Sequence, residues 1–172
     1  MEQDHYKYAK IDSKYYIKLA GELRYNWSSG FNAFIEELFK RDDYDDILVD
    51  VSDVTYLDST NIGLVAQIAR YVIDNFSHKL SVIIQGNEIK NLLKDMGFAE
   101  ICNFIPKEDE VNEDLKSINS ESKSKNELGR MLLEAHKTLM EINKDNEQKF
   151  KNVVEMLERE TDQESDEEVE SK

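Results

Sequence analysis

Residues 49–63 read VDVSDVTYLDSTNIG. The beginning of this stretch belongs to an apolar run, Ile47-Leu48-Val49-Asp50-Val51, with the length and content of a strand covered on both faces. Its end opens a helix, because Ile62, Val65, Ala66, Ala69, Ile73 and Phe76 recur at three- and four-residue intervals on one face. A buried strand that runs directly into an amphipathic helix is the repeating unit of an α/β domain. The junction places the Ser59 hydroxyl at the head of the helix. Capping alone also accounts for Asp58-Ser59-Thr60, since each of these side chains accepts from the unpaired N–H groups of a first turn.

Working outward, Tyr6–Ile11 and Tyr15–Ala20 flank Asp12-Ser13-Lys14 and predict a strand hairpin. Phe31, Phe34, Ile35, Leu38 and Phe39 follow Ser28-Ser29 at helical spacing, so a capped helix is expected to about Arg41, closed by the acidic turn Asp42–Asp46. Leu80–Gln85 reads as another buried strand. Asn87 can cap a helix carrying Ile89, Leu92, Leu93 and Met96 and closed by Gly97, and Ile101–Ile105 is the last strand. The order ββαβαβαβ predicts an α/β domain over residues 1–106, with a mixed sheet of four to five strands and interleaved helices.

Several of these segments, taken together, resemble the STAS family, and within it the bacterial anti-sigma-factor antagonists. They are Leu19-Ala20-Gly21-Glu22-Leu23, Asp50-x-x-Asp53, Leu57-Asp58-Ser59-Thr60-x-Ile62-Gly63, and Leu93-x-x-Met96-Gly97-Phe98. The resemblance covers roughly residues 1–106. It implies an anti-sigma-factor antagonist in a partner-switching pathway of transcription regulation: a phosphoprotein that binds an anti-sigma factor or serine kinase when unphosphorylated, leaves it on phosphorylation of Ser59, and is reset by a serine phosphatase. Asp58, Thr60, Asn61, Ile62, Glu22, Arg24 and Tyr25 are then the partner-binding residues. Two positions depart from the family pattern. Asn61 stands where the family usually has glycine and is expected to add bulk on the docking side; Arg24 stands where an acidic or polar residue is common. The rival reading is a phosphorylation-independent scaffold or adaptor, with Ser59 only a cap.

The switch has a simple physical form. A helix N-terminus tolerates an anion, and a phosphoserine adds about −1.5 to −2 charges there. Asp58, with Asp50 and Asp53 upstream, is expected to concentrate like charge beside it, and emptying a filled interface requires on the order of 5 kcal/mol.

Past Pro106 the chain changes character. Residues 107–125 form a polar, Ser-rich linker, and residues 126–160 an amphipathic helix with Leu128, Leu132, Ala135, Leu139, Ile142, Phe150, Val153 and Leu157 at three-four spacing and Asn146 in the seam. The polar stretch NKDNEQK at 143–149 allows a break, but Asp145/Lys149, Glu147/Lys151 and Glu155/Arg159 favour one unbroken helix, roughly 50 Å long, that overhangs its own domain. Two roles stand open for it: packing on the domain, or a seam for self-association or a partner. Residues 161–172, TDQESDEEVESK, read as an acidic disordered tail.

Composition limits the partners. The 172 residues carry 22 Lys+Arg against 37 Asp+Glu, a net charge of −15. That balance, with no basic cluster, argues against nucleic acid and membrane surfaces. No apolar run approaches the roughly 18 residues of a membrane span, and the start lacks a signal-peptide core, so a cytoplasmic protein is expected. The single cysteine, Cys102, excludes an intrachain disulfide and reads as a small core residue. His5, His78 and His136 are scattered and read as surface residues; no metal, cofactor or catalytic constellation is expected, and the protein is not expected to be an enzyme.

Overall fold

The computed structural model describes residues 5–111, 113–119 and 123–170, with side chains in the last helix to residue 163. The expected order of elements is present. Strands β1 (Tyr6–Ile11) and β2 (Lys14–Leu23) form the opening hairpin, turning at Asp12 with φ 56°. Helix α1 (Ser29–Phe39) follows a short 3-10 turn at Tyr25–Trp27. Then come β3 (Asp46–Leu57), α2 (Ser59–Phe76), β4 (Leu80–Ile84), α3 (Glu88–Asp95) and β5 (Cys102–Pro106). Strands β2, β3, β4 and β5 are parallel neighbours, and β1 is antiparallel to β2. The result is a mixed α/β fold, as expected.

The sheet has six strands rather than four or five, in the order β5-β4-β3-β2-β1-β6. The sixth, β6 (Lys116–Ser117), comes from the polar segment after Pro106 and pairs antiparallel with β1 at Lys7 and Tyr8. Backbone pairing at a free sheet edge needs no apolar side chain, which is why a polar segment supplies it. On the way there the segment is tied down by charge: Lys107 and Lys18 each reach both Asp53 and Glu110 at 2.9–3.6 Å. Lys18 holds the Asp53 carboxyl below its usual range.

The single long helix expected over 126–160 is instead a hairpin of α4 (Lys125–Ile142) and α5 (Lys144–Glu170). Ser124 caps α4 by accepting from the Glu127 N–H at 3.2 Å. The break lies at Asn143, whose backbone is extended and whose Oδ1 accepts from the Asn146 N–H at 2.8 Å, capping α5. Asn146, expected as an interruption in a seam, is fully buried and donates to the carbonyls of Met96 and Leu139 at 2.8 and 2.9 Å. A buried amide with two acceptors at the turn is worth more there than i,i+4 ion pairs on a solvated surface. α5 continues to Glu170, through most of the stretch expected to be disordered; residues 171 and 172 lie outside the described residues. Once a helix is nucleated each further residue adds at small cost, and the glutamates of this stretch are good helix formers.

The molecule is therefore layered. α2 packs on β3 and β4, α4 packs on α2, and α5 packs on α4. One core joins Ile17, Ile47, Val49 and Val82 of the sheet to Phe31, Ile62 and Ile68 of α1 and α2, and onward to Met131, Ala135, Leu139 and Phe150 of the hairpin. Leu133, Val154 and Leu157 form a smaller cluster between α4 and α5. Cys102 is buried as expected, and burial pushes its thiol up to about 12.

Burial is also the main cause that raises the phenols of Tyr6, Tyr16 and Tyr44 well above free tyrosine. Below pH about 10 both folded and unfolded states keep these protons, so stability does not depend on them; above it the unfolded chain releases protons that the folded one retains, and stability falls. Each phenol contributes a slope of up to about 1.4 kcal/mol per pH unit. Alkaline titration is expected to show tyrosinate absorbance rising cooperatively with loss of far-ultraviolet circular dichroism, rather than ahead of it.

Candidate functional site

The junction of β3 and α2 is organised by Asp58. Its extended backbone (φ −78°, ψ 169°) places the carboxylate under the first turn, where Oδ1 accepts from the Asn61 N–H at 3.0 Å and from Asn61 Nδ2 at 2.9 Å. Oδ2 accepts from the Tyr25 N–H at 2.6 Å and so fixes the loop after β2 against the same junction. A carboxylate here satisfies orphan donors and complements the positive end of the helix.

With Asp58 as the cap, Ser59 occupies the first helical position and its hydroxyl is left over. It lies half-buried, 2.8 Å from His136 Nε2 on α4. His136 Nδ1 is 2.6 Å from the Leu132 carbonyl, which only accepts; in the neutral ring Nδ1 therefore carries the proton, Nε2 carries the lone pair, and Ser59 donates to it. The imidazole sits edge-on to Phe150 at 5.7 Å. Beside the pair is a cavity of about 480 Å³, walled on one side by Arg24, Tyr25, Tyr56 and Asp58 and on the other by Leu132, Val153 and Leu157 of the hairpin.

The expected site residues separate into two groups. Asp58, Ser59, Arg24 and Tyr25 meet at the cavity, with the Arg24 guanidinium 4.4 Å from the centre of the Tyr56 ring and paired to exposed Glu22 at 3.6 Å. Thr60, Asn61 and Ile62 are buried, at 3%, 0% and 1% exposure. Thr60 still borders the cavity, but Asn61 does not add bulk to a docking side. Its Oδ1 accepts from the Tyr6 hydroxyl at 2.5 Å and the Ser28 hydroxyl at 3.0 Å, locking α2 to β1 and to the start of α1. Ser28 is turned into this network and does not cap α1 with its side chain.

Asp50 and Asp53 do not share the patch either. Asp50 is buried, accepting from the Tyr16 hydroxyl and, at 2.9 Å, from the Ser52 N–H, and Asp53 is engaged by Lys18 and Lys107. The strand carries them away from the junction at roughly 3.3 Å per residue. Like charge beside Ser59 comes from Asp58 alone among the three.

His136 is a correction to the expectation of three surface histidines. His78 is exposed and His5 is half-buried against Trp27, whereas His136 is 6% exposed. Ser59, Gly63 and Arg70, the positions of α2 that meet α4, carry no apolar stripe, so the sequence held no signal that His136 is covered there. Among the described residues no group of three or more His, Cys, Asp or Glu is placed to hold a metal, and no helix is long and apolar enough to cross a membrane.

No protein-family model matches the chain, and no curated protein matches it in sequence. Among solved structures, the Bacillus cell-fate determinant SpoIIAA in its phosphorylated form is similar over 58% of this chain and 90% of that one, with a TM-score of 0.48 and 15% sequence identity.

Proposed function

We propose that this protein is a phosphorylation-switched antagonist that binds an anti-sigma factor or serine kinase and leaves it when Ser59 is phosphorylated. The observation that supports the reading is the division of labour at the head of α2: Asp58 supplies the cap, so the Ser59 hydroxyl is not used for capping and borders a cavity beside His136. The motif Asp58-Ser59-Thr60-x-Ile62-Gly63 is the second support. A phosphoryl group on Ser59 adjoins Asp58 and the exposed ring of Tyr25, so a partner seated against Arg24, Tyr25 and Tyr56 meets a new dianion at its edge.

Incubation with a serine kinase of the antagonist-pairing class and ATP is expected to modify the full-length chain once, at Ser59, and Ser59→Ala is expected to take up no phosphate. Stoichiometric phosphate on the Ser59→Ala chain overturns the assignment. The cover over Ser59 favours a second reading, an adaptor in which the Ser59–His136 bond merely joins the hairpin to the domain. In that case partner binding is indifferent to both Ser59→Ala and Ser59→Asp. In the switched case Ser59→Asp weakens it.

A further inference from the structure

We infer that the α4–α5 hairpin is the resting occupant of the face that a partner or kinase must reach at Ser59, so that hairpin docking and partner docking exclude one another. The inference deepens the reading of Ser59 as a phosphate acceptor and rests on it for what the exclusion regulates. Three contacts define the closed state. Ser59 Oγ is hydrogen-bonded to His136 Nε2, so its hydroxyl is engaged by the cover itself. Four residues along the same helix, a Cβ built on Gly63 falls 2.4 Å from the Ala135 carbonyl oxygen, which is the close approach of two helix backbones. At the hairpin turn, Asn146 is fixed to the Met96 carbonyl, and the side chains of Ile142 and Asn143 fill the space beside Gly97.

A further polar tie to α2 is slight. Arg70 pairs with Glu141, and both are more than half exposed. In the closed state, Leu132, Val153 and Leu157 wall the cavity opposite Tyr25 and Tyr56, so whatever docks on those rings and on Ser59 displaces the hairpin.

The test uses the full chain and a small neutral probe, iodoacetamide, against the thiol of Ser59→Cys. Buried Cys102, with its thiol pushed up to about 12, makes the unsubstituted protein a slow blank. Alkylation of the introduced thiol is expected to run at least about tenfold below a free thiol, and adding Asn146→Ala, which takes the donor from the Met96 and Leu139 carbonyls, is expected to raise it about tenfold. Glu141→Arg is expected to raise it about threefold, and Arg70→Glu in the same chain to restore the slow rate. Amide exchange in β3 reports whether the domain stays folded. If Asn146→Ala unfolds β3, the charge exchange decides: rescue supports the cover and its absence overturns it. Alkylation at the free-thiol rate in the otherwise unchanged chain also overturns it. Neither result involves a kinase, so a failed cover leaves the Ser59→Ala experiment standing, and a failed acceptor assignment leaves the cover standing.

Discussion

Gly63→Ala is expected to destabilise the protein by about 1–3 kcal/mol and to loosen the hairpin from α2. Helix propensity alone predicts the opposite sign, because alanine in a helix interior is better than glycine by about 1 kcal/mol. The added Cβ, however, would lie 2.4 Å from Ala135 O, 2.7 Å from its carbonyl carbon and 2.8 Å from its Cβ. Two of those atoms are backbone, so no side-chain rotation relieves the contact; α4 must move as a unit, and Met131, Ala135 and Leu139 lose packing with it. Urea unfolding of the variant gives the magnitude, and amide exchange locates it: protection is expected to fall in α4 and α5 while β2 and β3 keep theirs. A variant as stable as or more stable than the original chain would show that propensity outweighs the contact and that α4 does not sit this close. The glycine belongs to the run through which the chain resembles the STAS family, and in this chain it serves the extension, since only a residue without a Cβ admits Ala135 at that distance.

What the sequence revealed and what it hid divide along the range of the interactions. β1, α2, β4, α3 and β5 were legible because each is set by its own periodicity and its own stops. The apolar run ends at Val51 whereas β3 continues to Leu57, because its second half, Ser52 to Leu57, is too polar for a strand covered on both faces. It is paired with β4 only at residues 48–50 and beyond them only with β2, where half-open geometry tolerates Asp53, Thr55 and Tyr56. Register shifts between Lys18 and Ala20 and between Gly21 and Glu22, with Gly21 at φ 79°, bring that half into line, and alternation cannot report them. The fold-back of the extension was hidden for a related reason. Apolar spacing fixes which side of α4 is buried but not what buries it, and the turn at Asn143 depends on Asn146 meeting acceptors at Leu139, seven residues back, and at Met96, fifty residues away. Ser59 was found from its motif; its partner His136 lies 77 residues on, in a segment that the motif does not reach.

Asn61→Gly is the second large effect, and it bears on the residue whose role the sequence misplaced. Read as an extra side chain on a docking side, Asn61 ought to be dispensable, and glycine, the usual residue of the resembled family, ought to be neutral or helpful to binding. Its burial predicts a different result. Removing the carboxamide takes the acceptor from Tyr6 Oη and from Ser28 Oγ, leaves Asp58 Oδ1 with one donor instead of two, and opens a polar void beneath the first turn. Tyr6 and Ser28 retain each other at 3.1 Å, which limits the loss, and Ser28 keeps the Arg24 carbonyl as well. The hydrogen bonds that the carboxamide makes with Tyr6, Ser28 and the Asp58 carboxylate are together worth about 1–3 kcal/mol, and glycine in place of another residue in a helix adds up to about 1 kcal/mol. The expected total is about 3 kcal/mol, a fall of roughly 6–12 °C in the melting midpoint for a chain of this size. The same substitution is expected to leave phosphorylation of Ser59 intact wherever the protein remains folded, because the hydroxyl is directed to His136 and the cavity rather than to Asn61. A melting midpoint unchanged by Asn61→Gly would mean that the network of Tyr6, Ser28 and Asp58 closes without the carboxamide, and the account of how the head of α2 is held in place would fall with it.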